Sequence, residues 1–137
     1  MDTQSDPLEK LFKDNSSIQA EEREKLAIML EPYVVLGNNK DFRSMNFKAP
    51  FLELANIGKL EIIFLAEKAR ALYLKDEESE GLGQGDLIAL KAMPTGSVKS
   101  SLKKLFDDKR VVQTPKGKYI IPSYRLPELF TKYLLKK

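Results

Sequence analysis

The residues of this sequence whose types and spacing could do chemistry are serines and lysines near position 100. Placed on a helix, they share the face opposite an apolar stripe: Ser97, Lys99, Ser100, Lys103 and Lys104. Lysine ammonium groups neutralise phosphates or donate hydrogen bonds to guanine edges, and serine hydroxyls are short enough to approach bases. These side chains therefore predict a polyanion-binding surface, although Lys103 also fits a purely solubilising role.

A helix over residues 95–109 must position these side chains. Val98, Leu102, Leu105 and Phe106 recur at i, i+4, i+7 and i+8, which gives this helix one narrow apolar face. Thr95 is predicted to be the N-cap, because its hydroxyl can accept hydrogen bonds from the first free N–H groups. It also borders the basic face, so we count it among the candidate contacts.

A hairpin is predicted directly after this helix. Residues 110–114 and 118–122 are short and rich in β-branched side chains, which favours strands. Between them, Pro115 presets φ and Gly117 tolerates positive φ, so the chain turns tightly there. Lys116 and Lys118 would then make the tip basic and suit it to contact with a nucleic-acid backbone or minor groove.

Catalysis and metal binding are disfavoured by what the sequence lacks. There is no histidine and no cysteine, so the Ser-His-Asp and Cys-His constellations and the common transition-metal ligands are missing. The acidic cluster at residues 76–80 does not have the ligand spacing of a calcium loop, so the acidic and Gly-rich stretch 76–85 predicts a solvated loop instead. We therefore expect no enzyme, no catalytic residues, no metal and no cofactor.

The charge of the chain is strongly segregated. Residues 91–137 hold 12 Lys/Arg against 3 Asp/Glu, whereas residues 1–47 and 48–90 are each −3. Localised positive charge is typical of a surface that binds polyanions. The alternative interpretation is that these side chains form a solvated face that keeps the protein in solution. The absence of a long apolar run, of a signal-like start and of cysteine leads us to expect a cytoplasmic protein without a membrane partner.

The rest of the chain supplies the support for this stretch. Residues near Asp6 and Pro7 predict a short helix, and residues 18–31 predict a second one with Ser16 and Gln19 at capping-box spacing. The buried side of this second helix is expected to hold Ile18, Leu26, Met29 and Leu30. Residues 33–36 and 42–47 favour a hairpin around a Gly/Asn turn, and residues 51–56 favour a helical turn.

The most apolar element is predicted from residue 57 or 59 to about 75. A helix that is apolar nearly all round must be covered on several sides, here by the basic helix and by the N-terminal segment. Residues 86–92 predict a short helix, which a turn containing Pro94 joins to the basic helix. That spacing is typical of a helix-turn-helix.

Residues 57–122 resemble the winged helix-turn-helix superfamily of transcriptional regulators. The resemblance is carried by residues 93–112, which contain a small turn, a Ser-Val pair, two leucines that each follow a short polar run, and then a Val pair. Residues 119–122 resemble the return strand of the wing. It implies a mostly α fold with a small β-hairpin wing. The predicted divisions are an N-terminal extension (1–50), a winged helix-turn-helix domain (51–122) and a C-terminal amphipathic helix (123–137).

The resemblance implies a DNA-binding protein of the transcriptional-regulator type, with a recognition helix at 95–109 and a wing tip at 115–118. The exposed helix positions carry no Arg, Asn or Gln, so salt-dependent contact with the DNA backbone and modest sequence selectivity are expected. The alternative is a winged-helix module that binds other proteins. An added C-terminal helix in such proteins suggests a homodimer, or packing on the central helix, through Leu126, Leu129, Phe130, Tyr133 and Leu134.

Overall fold

A computed structural model of the chain describes residues 20–36, 45–74 and 80–134. Helices predominate, and two small antiparallel sheets of two strands each accompany them. In chain order the elements are α1 (Ala20–Leu30), β1 (Val34–Val35), β2 (Asn46–Phe47), α2 (Ala49–Leu52), α3 (Asn56–Tyr73), α4 (Gln84–Ala89), α5 (Thr95–Asp107), β3 (Val112–Gln113), β4 (Tyr119–Ile120) and α6 (Leu126–Leu134). The mostly α fold with small hairpins that the sequence predicts is thereby confirmed.

Helix α3 is the centre of the core, as its composition predicts. Ile62, Ile63, Phe64 and Leu65 are all buried, although they point in different directions around the helix. Helices α5 and α1 both pack on α3, from different sides. This is the arrangement expected from the sequence. Within residues 20–36, 45–74 and 80–134, no helix, α3 included, has the length and apolarity needed to cross a membrane.

Four charged residues of α3 are buried as well, which the sequence did not indicate. They are Glu61, Glu67, Lys68 and Arg70. Two of them fasten the next segment to the helix: Glu67 accepts hydrogen bonds from Arg70 at 2.7 and 2.8 Å and from the Gly81 N–H at 3.0 Å. Lys68 lies 3.0 Å from Glu80. Because a buried charge needs a partner to offset its desolvation, these contacts hold the chain at residues 80–81 against α3.

The segment 80–82 is consequently not part of a solvated loop of the kind predicted for residues 76–85. Glu80 and Leu82 are buried, and Leu82 exchanges backbone hydrogen bonds of 3.0 and 2.9 Å with Tyr119 in β4. Gly81 has a φ of +135°, and a Cβ there would lie 2.8 Å from Lys118 Cβ, so only glycine fits. Residues 75–79 lie outside the described part of the chain.

The N-terminal elements follow the predicted pattern in part. Leu26, Met29 and Leu30 of α1 are buried, and β1 pairs with β2 through Val34–Phe47 and Val35–Asn46. The helical turn predicted at 51–56 lies earlier in the chain, because α2 runs from Ala49 to Leu52. Pro50 is in its first turn, where the helix does not need the N–H that proline lacks. Several predictions lie outside the described residues: the helix near Asp6, the capping pair Ser16 and Gln19, the buried Ile18, the turn at 37–41 and the start of the strand predicted at 42–47.

Other elements of the same chain bury the apolar stripe of α6. Leu126 and Leu129 are fully buried and Phe130 nearly so, and the main neighbour of α6 is α1. These three residues face the interior of the same chain, and the homodimer proposed through this stripe stays a prediction. The predicted packing on the central helix is realised differently, by polar contacts from Lys132 and Tyr133, and the Leu134 side chain lies outside the description.

Those polar contacts converge on Glu61, which is fully buried in α3. Lys132 Nζ and Tyr133 Oη both lie 2.7 Å from Glu61 Oε1. Burial, reinforced by the Glu61 carboxylate, raises the pKa of Tyr133 above its ordinary value. Arg110 and Arg125 lie 3.8 and 4.0 Å from Glu61 Oε2. Glu61 thus joins α3, α6 and the chain on either side of the second hairpin.

Candidate nucleic-acid interface

Helix α4 precedes the basic helix and is fixed by Asp86. The Asp86 carboxylate accepts a hydrogen bond of 2.8 Å from the Gly83 N–H at the start of α4 and one of 2.7 Å from Lys118 Nζ. The helix ends at Ala89, three residues before the predicted end at 92. Lys91 has a φ of +57°, and a left-handed residue cannot continue a right-handed helix.

Helix α5 begins at Thr95, but Thr95 is not its N-cap. Pro94 occupies the cap position in an extended conformation, and its carbonyl accepts the Val98 N–H at 3.1 Å. No side chain caps the helix. Thr95 is therefore the first helical residue and is exposed. The predicted capping role is wrong, because the helix starts one residue earlier than a cap at Thr95 would require.

The two faces of α5 divide nearly as predicted. Val98, Leu102 and Leu105 are buried against the core, together with Ser101. Phe106, predicted to belong to this face, is instead 43% exposed. On the other side Lys99, Ser100, Lys103 and Lys104 are exposed and Ser97 is half-buried.

The end of α5 has a cap that usually requires glycine. The Arg110 N–H donates to the Leu105 carbonyl at 2.8 Å and the Lys109 N–H to the Phe106 carbonyl at 3.0 Å, which are the two bonds of a Schellman motif. Lys109 has a φ of +63° at the position where glycine is common. The helix therefore ends at Asp107, two residues before the predicted 109.

The second hairpin is confirmed with its predicted turn. Val112 pairs with Ile120 and Gln113 with Tyr119, and the Thr114 N–H donates to the Lys118 carbonyl at 2.7 Å. Gly117 has a φ of +81°, as the turn requires. Lys116 is exposed at the tip.

The candidate lysines differ in their ion-pair partners. Lys103 pairs with Asp107 at 2.9 Å, and Lys104 lies 3.8 Å from Asp108. Lys118 points back to Asp86 at 2.7 Å, so it ties the hairpin to α4. Lys99 makes no hydrogen bond or ion pair within the part of the chain that the structure describes. Ser100 donates a weak bond of 3.4 Å to the Ser97 carbonyl in the same helix.

Three side chains of this surface, two exposed and one half-buried, were not predicted as contacts. The rings of Phe106 and Tyr119 meet edge to face, with centroids 5.7 Å apart and an interplanar angle of 82°. Gln113 is exposed on β3 directly opposite Tyr119. The alternation of side chains along a strand could have placed Gln113 beside Tyr119, whereas the pairing of Phe106 with Tyr119 needs the position of the hairpin.

Taken together, α5 and the hairpin β3–β4 present a positively charged surface. Residues 91–122 contain eight Lys/Arg and two Asp/Glu, and a net charge of this size attracts polyanions. No group of three His, Cys, Asp or Glu side chains within the described ranges could hold a metal ion. Comparisons of the chain with protein-family models, with curated proteins and with solved structures find no match.

Proposed function

We propose that this chain binds double-stranded DNA with the outer face of α5 and the tip of the hairpin β3–β4, as a winged helix-turn-helix protein of the transcriptional-regulator type. Support comes from the order of the elements. Helices α3, α4 and α5 are followed by a hairpin. Leu82 forms an isolated antiparallel β-bridge with Tyr119 at the edge of that hairpin. In such a protein α4 braces across the backbone, α5 enters the major groove, and the hairpin is the wing.

The observation that carries the proposal is the exposure of lysines on a rigid support. Lys99, Lys103 and Lys104 project from α5, while Val98, Leu102 and Leu105 fix the opposite face of α5 in the core. Lys116 lies at the hairpin tip, and Lys118 anchors that hairpin to α4. A rigid array of cations matches a rigid array of phosphates without a large loss of conformational entropy on binding.

Two further lysines occupy positions that are costly for any residue except glycine. Lys91 follows α4 and Lys109 follows α5, with φ values of +57° and +63°. A residue other than glycine in this conformation costs roughly 1–2 kcal/mol. Local rules are most often broken at functional sites, and here each exception brings a cation to the C-terminal end of one helix of the proposed helix-turn-helix.

The side chains of α5 favour contact with the backbone over base reading. Its exposed positions offer lysines and serines, and two of the lysines are already paired with Asp107 and Asp108. Four phosphate contacts, from Lys99, Lys103, Lys104 and Lys116, predict a slope of about −3.6 for log K against log salt. Affinity then falls roughly 150-fold between 50 and 200 mM salt.

The experiment that tests the proposal is a fluorescence-anisotropy titration of a random-sequence duplex at two salt concentrations. The triple variant Lys99→Glu, Lys103→Glu, Lys116→Glu is compared with a matched triple variant outside the surface, Lys25→Glu, Lys48→Glu, Lys59→Glu. Each reversal changes one charge–phosphate interaction by about 2 kcal/mol in water, so the first variant is expected to lose more than about a thousandfold in affinity. Similar losses in both variants, or none in the first, would contradict the proposal.

A second candidate function is binding to another protein, and one observation favours it. An apolar groove of about 350 Å³ runs between α1, β1 and the end of α3, lined among others by Ala27, Ala69 and Tyr73. Tyr73 is largely exposed there. If the duplex titration shows no salt-dependent binding, and Tyr73→Ser abolishes capture of a defined partner, the protein-binding function replaces the first proposal.

A further inference from the structure

An aromatic pair lies at the junction of α5 and the hairpin, in the middle of the basic surface. Phe106 is 43% exposed, although its neighbours on α5 are polar or buried. Tyr119 meets its ring at a centroid distance of 5.7 Å, and Tyr119 itself is hydrogen-bonded through its backbone to Leu82 and paired with Gln113. The ring of Phe106 is therefore held on a rigid support.

The surroundings of this pair are cationic. Lys103 and Lys99 precede Phe106 by three and seven residues, so all three lie on neighbouring parts of the same helix face. Lys99 lies about 10 Å from Phe106 along the helix axis, because each residue of an α-helix rises by about 1.5 Å. Asp107 pairs with Lys103 and Asp108 lies 3.8 Å from Lys104, so a lysine opposes each acid, whereas Lys99 has no acidic partner within the described residues. A ligand at Phe106 must thus combine apolar surface with negative charge.

Nucleic acid has this combination, and the exposed area decides which form of it fits. Aromatic side chains bury roughly 150–250 Å², so the free part of Phe106 is roughly 65–110 Å², comparable with one ring face. A paired duplex hides its base faces in the stack and offers only thymine methyl groups and sugar edges outside it. An unpaired base offers a whole face, and such stacking does not depend on base identity.

We propose that Phe106, braced by Tyr119, stacks on an unpaired nucleobase, so that this chain prefers duplex DNA interrupted by a short unpaired stretch. The inference rests on the proposed function, because Lys99, Lys103 and Lys116 must hold the flanking phosphates. Gln113 stands opposite Tyr119 in the hairpin, and directly opposed residues project from the same face. Its amide can donate to and accept from the exposed edge of the stacked base.

The test compares two DNAs of equal length and charge, one fully paired and one with a central unpaired stretch, at one fixed salt concentration. Stacking on one base predicts a preference of about 5- to 150-fold for the interrupted duplex. Phe106→Leu keeps an apolar side chain but removes the ring, and it is expected to bring this ratio close to one. Tyr73→Leu, which removes an exposed ring elsewhere, is the matched control and is expected to leave the ratio unchanged.

A second readout does not depend on affinity. The chain has no tryptophan, so Phe106→Trp introduces a single indole whose emission base stacking quenches. Stronger quenching by the interrupted duplex than by the paired one supports the proposal. Tight duplex binding without a preference, a preference that survives in Phe106→Leu, or equal quenching by both DNAs would overturn this inference alone. Absence of binding to either DNA would overturn the proposed function as well.

Discussion

Asp107 and Asp108 oppose the proposed DNA contact, and their neutralisation is expected to tighten binding without loss of stability. Asp107 pairs with Lys103 at 2.9 Å, with side chains 55% and 77% exposed, and Asp108 lies 3.8 Å from Lys104. Each acid therefore competes with phosphate for one lysine of α5. Each also repels a phosphate that approaches the same face.

Both effects have a known scale. Breaking an exposed i,i+4 ion pair costs about 0.3–0.5 kcal/mol, and a like charge about 4 Å from a phosphate costs about 1 kcal/mol in water. Asp107→Asn and Asp108→Asn should therefore each raise affinity by roughly tenfold at low salt, with less than full additivity because the two are neighbours.

Stability should not suffer, because both acids lie at the negative end of the α5 dipole. Removing a negative charge there contributes about 0.3–1 kcal/mol, which offsets the lost ion pair. An order of Lys before Asp is also the weaker orientation for a helical pair. The free energy of unfolding of the double variant is thus expected to equal or slightly exceed that of the wild type.

The assay is an anisotropy titration with a random duplex at 50 mM salt, a concentration at which phosphate contacts dominate affinity, beside urea unfolding. Glu24→Gln, which removes an exposed acid from α1, controls for the change in net charge. Equal gains in Glu24→Gln and in the double variant would show that net charge acts instead of local competition. Unchanged or weaker binding of the double variant would refute the placement of phosphates along α5.

Three further predictions concern stability. Lys109→Gly relieves the left-handed conformation at the end of α5 and should raise the free energy of unfolding by about 1 kcal/mol while weakening duplex binding; a loss of stability would contradict the cap described above. Glu61→Ala removes the buried carboxylate that holds Lys132 and Tyr133 and should cost about 3–5 kcal/mol in urea unfolding, whereas Glu61→Gln keeps an acceptor oxygen and should cost less; equal costs would show that the charge alone matters. The hydrogen bond from Arg125 holds the pKa of Glu128 in the folded protein below its ordinary value. The ionised Glu128 therefore stabilises the fold at pH values above its ordinary pKa, and this stabilisation is lost as the pH falls through the lower pKa of the folded state. Glu128→Gln should therefore destabilise at neutral pH and match the wild type in strong acid, and a difference that persists in acid would contradict this linkage.

Local patterns in the sequence are enough to predict the elements of the basic half. Val98, Leu102 and Leu105 recur at helical spacing because α5 has one buried side, and all three are buried. Gly117 marks the turn because positive φ is needed there, and the structure has it. The length and apolarity of α3 require cover on several sides, which α1 and α5 provide.

Features that depend on distant partners could not be predicted. Glu61 looks like a solvent-exposed acid until Lys132, 71 residues later, reaches it. The sequence of the α6 stripe is equally suited to a second copy and to its own chain, and its packing on α1 depends on where α1 lies in the fold. Phe106 lies at the edge of the apolar face, where a difference of a few tens of degrees around the helix separates the core from the surface.

The central claim is that DNA meets α5 and the hairpin tip, and backbone amide chemical shifts measured during titration with a random duplex test it most directly. The account predicts the largest shift changes at residues 95–107 and 114–118, with the effect disappearing at high salt. Changes centred on α1 and the groove beside Tyr73, or no change at low salt, would contradict it.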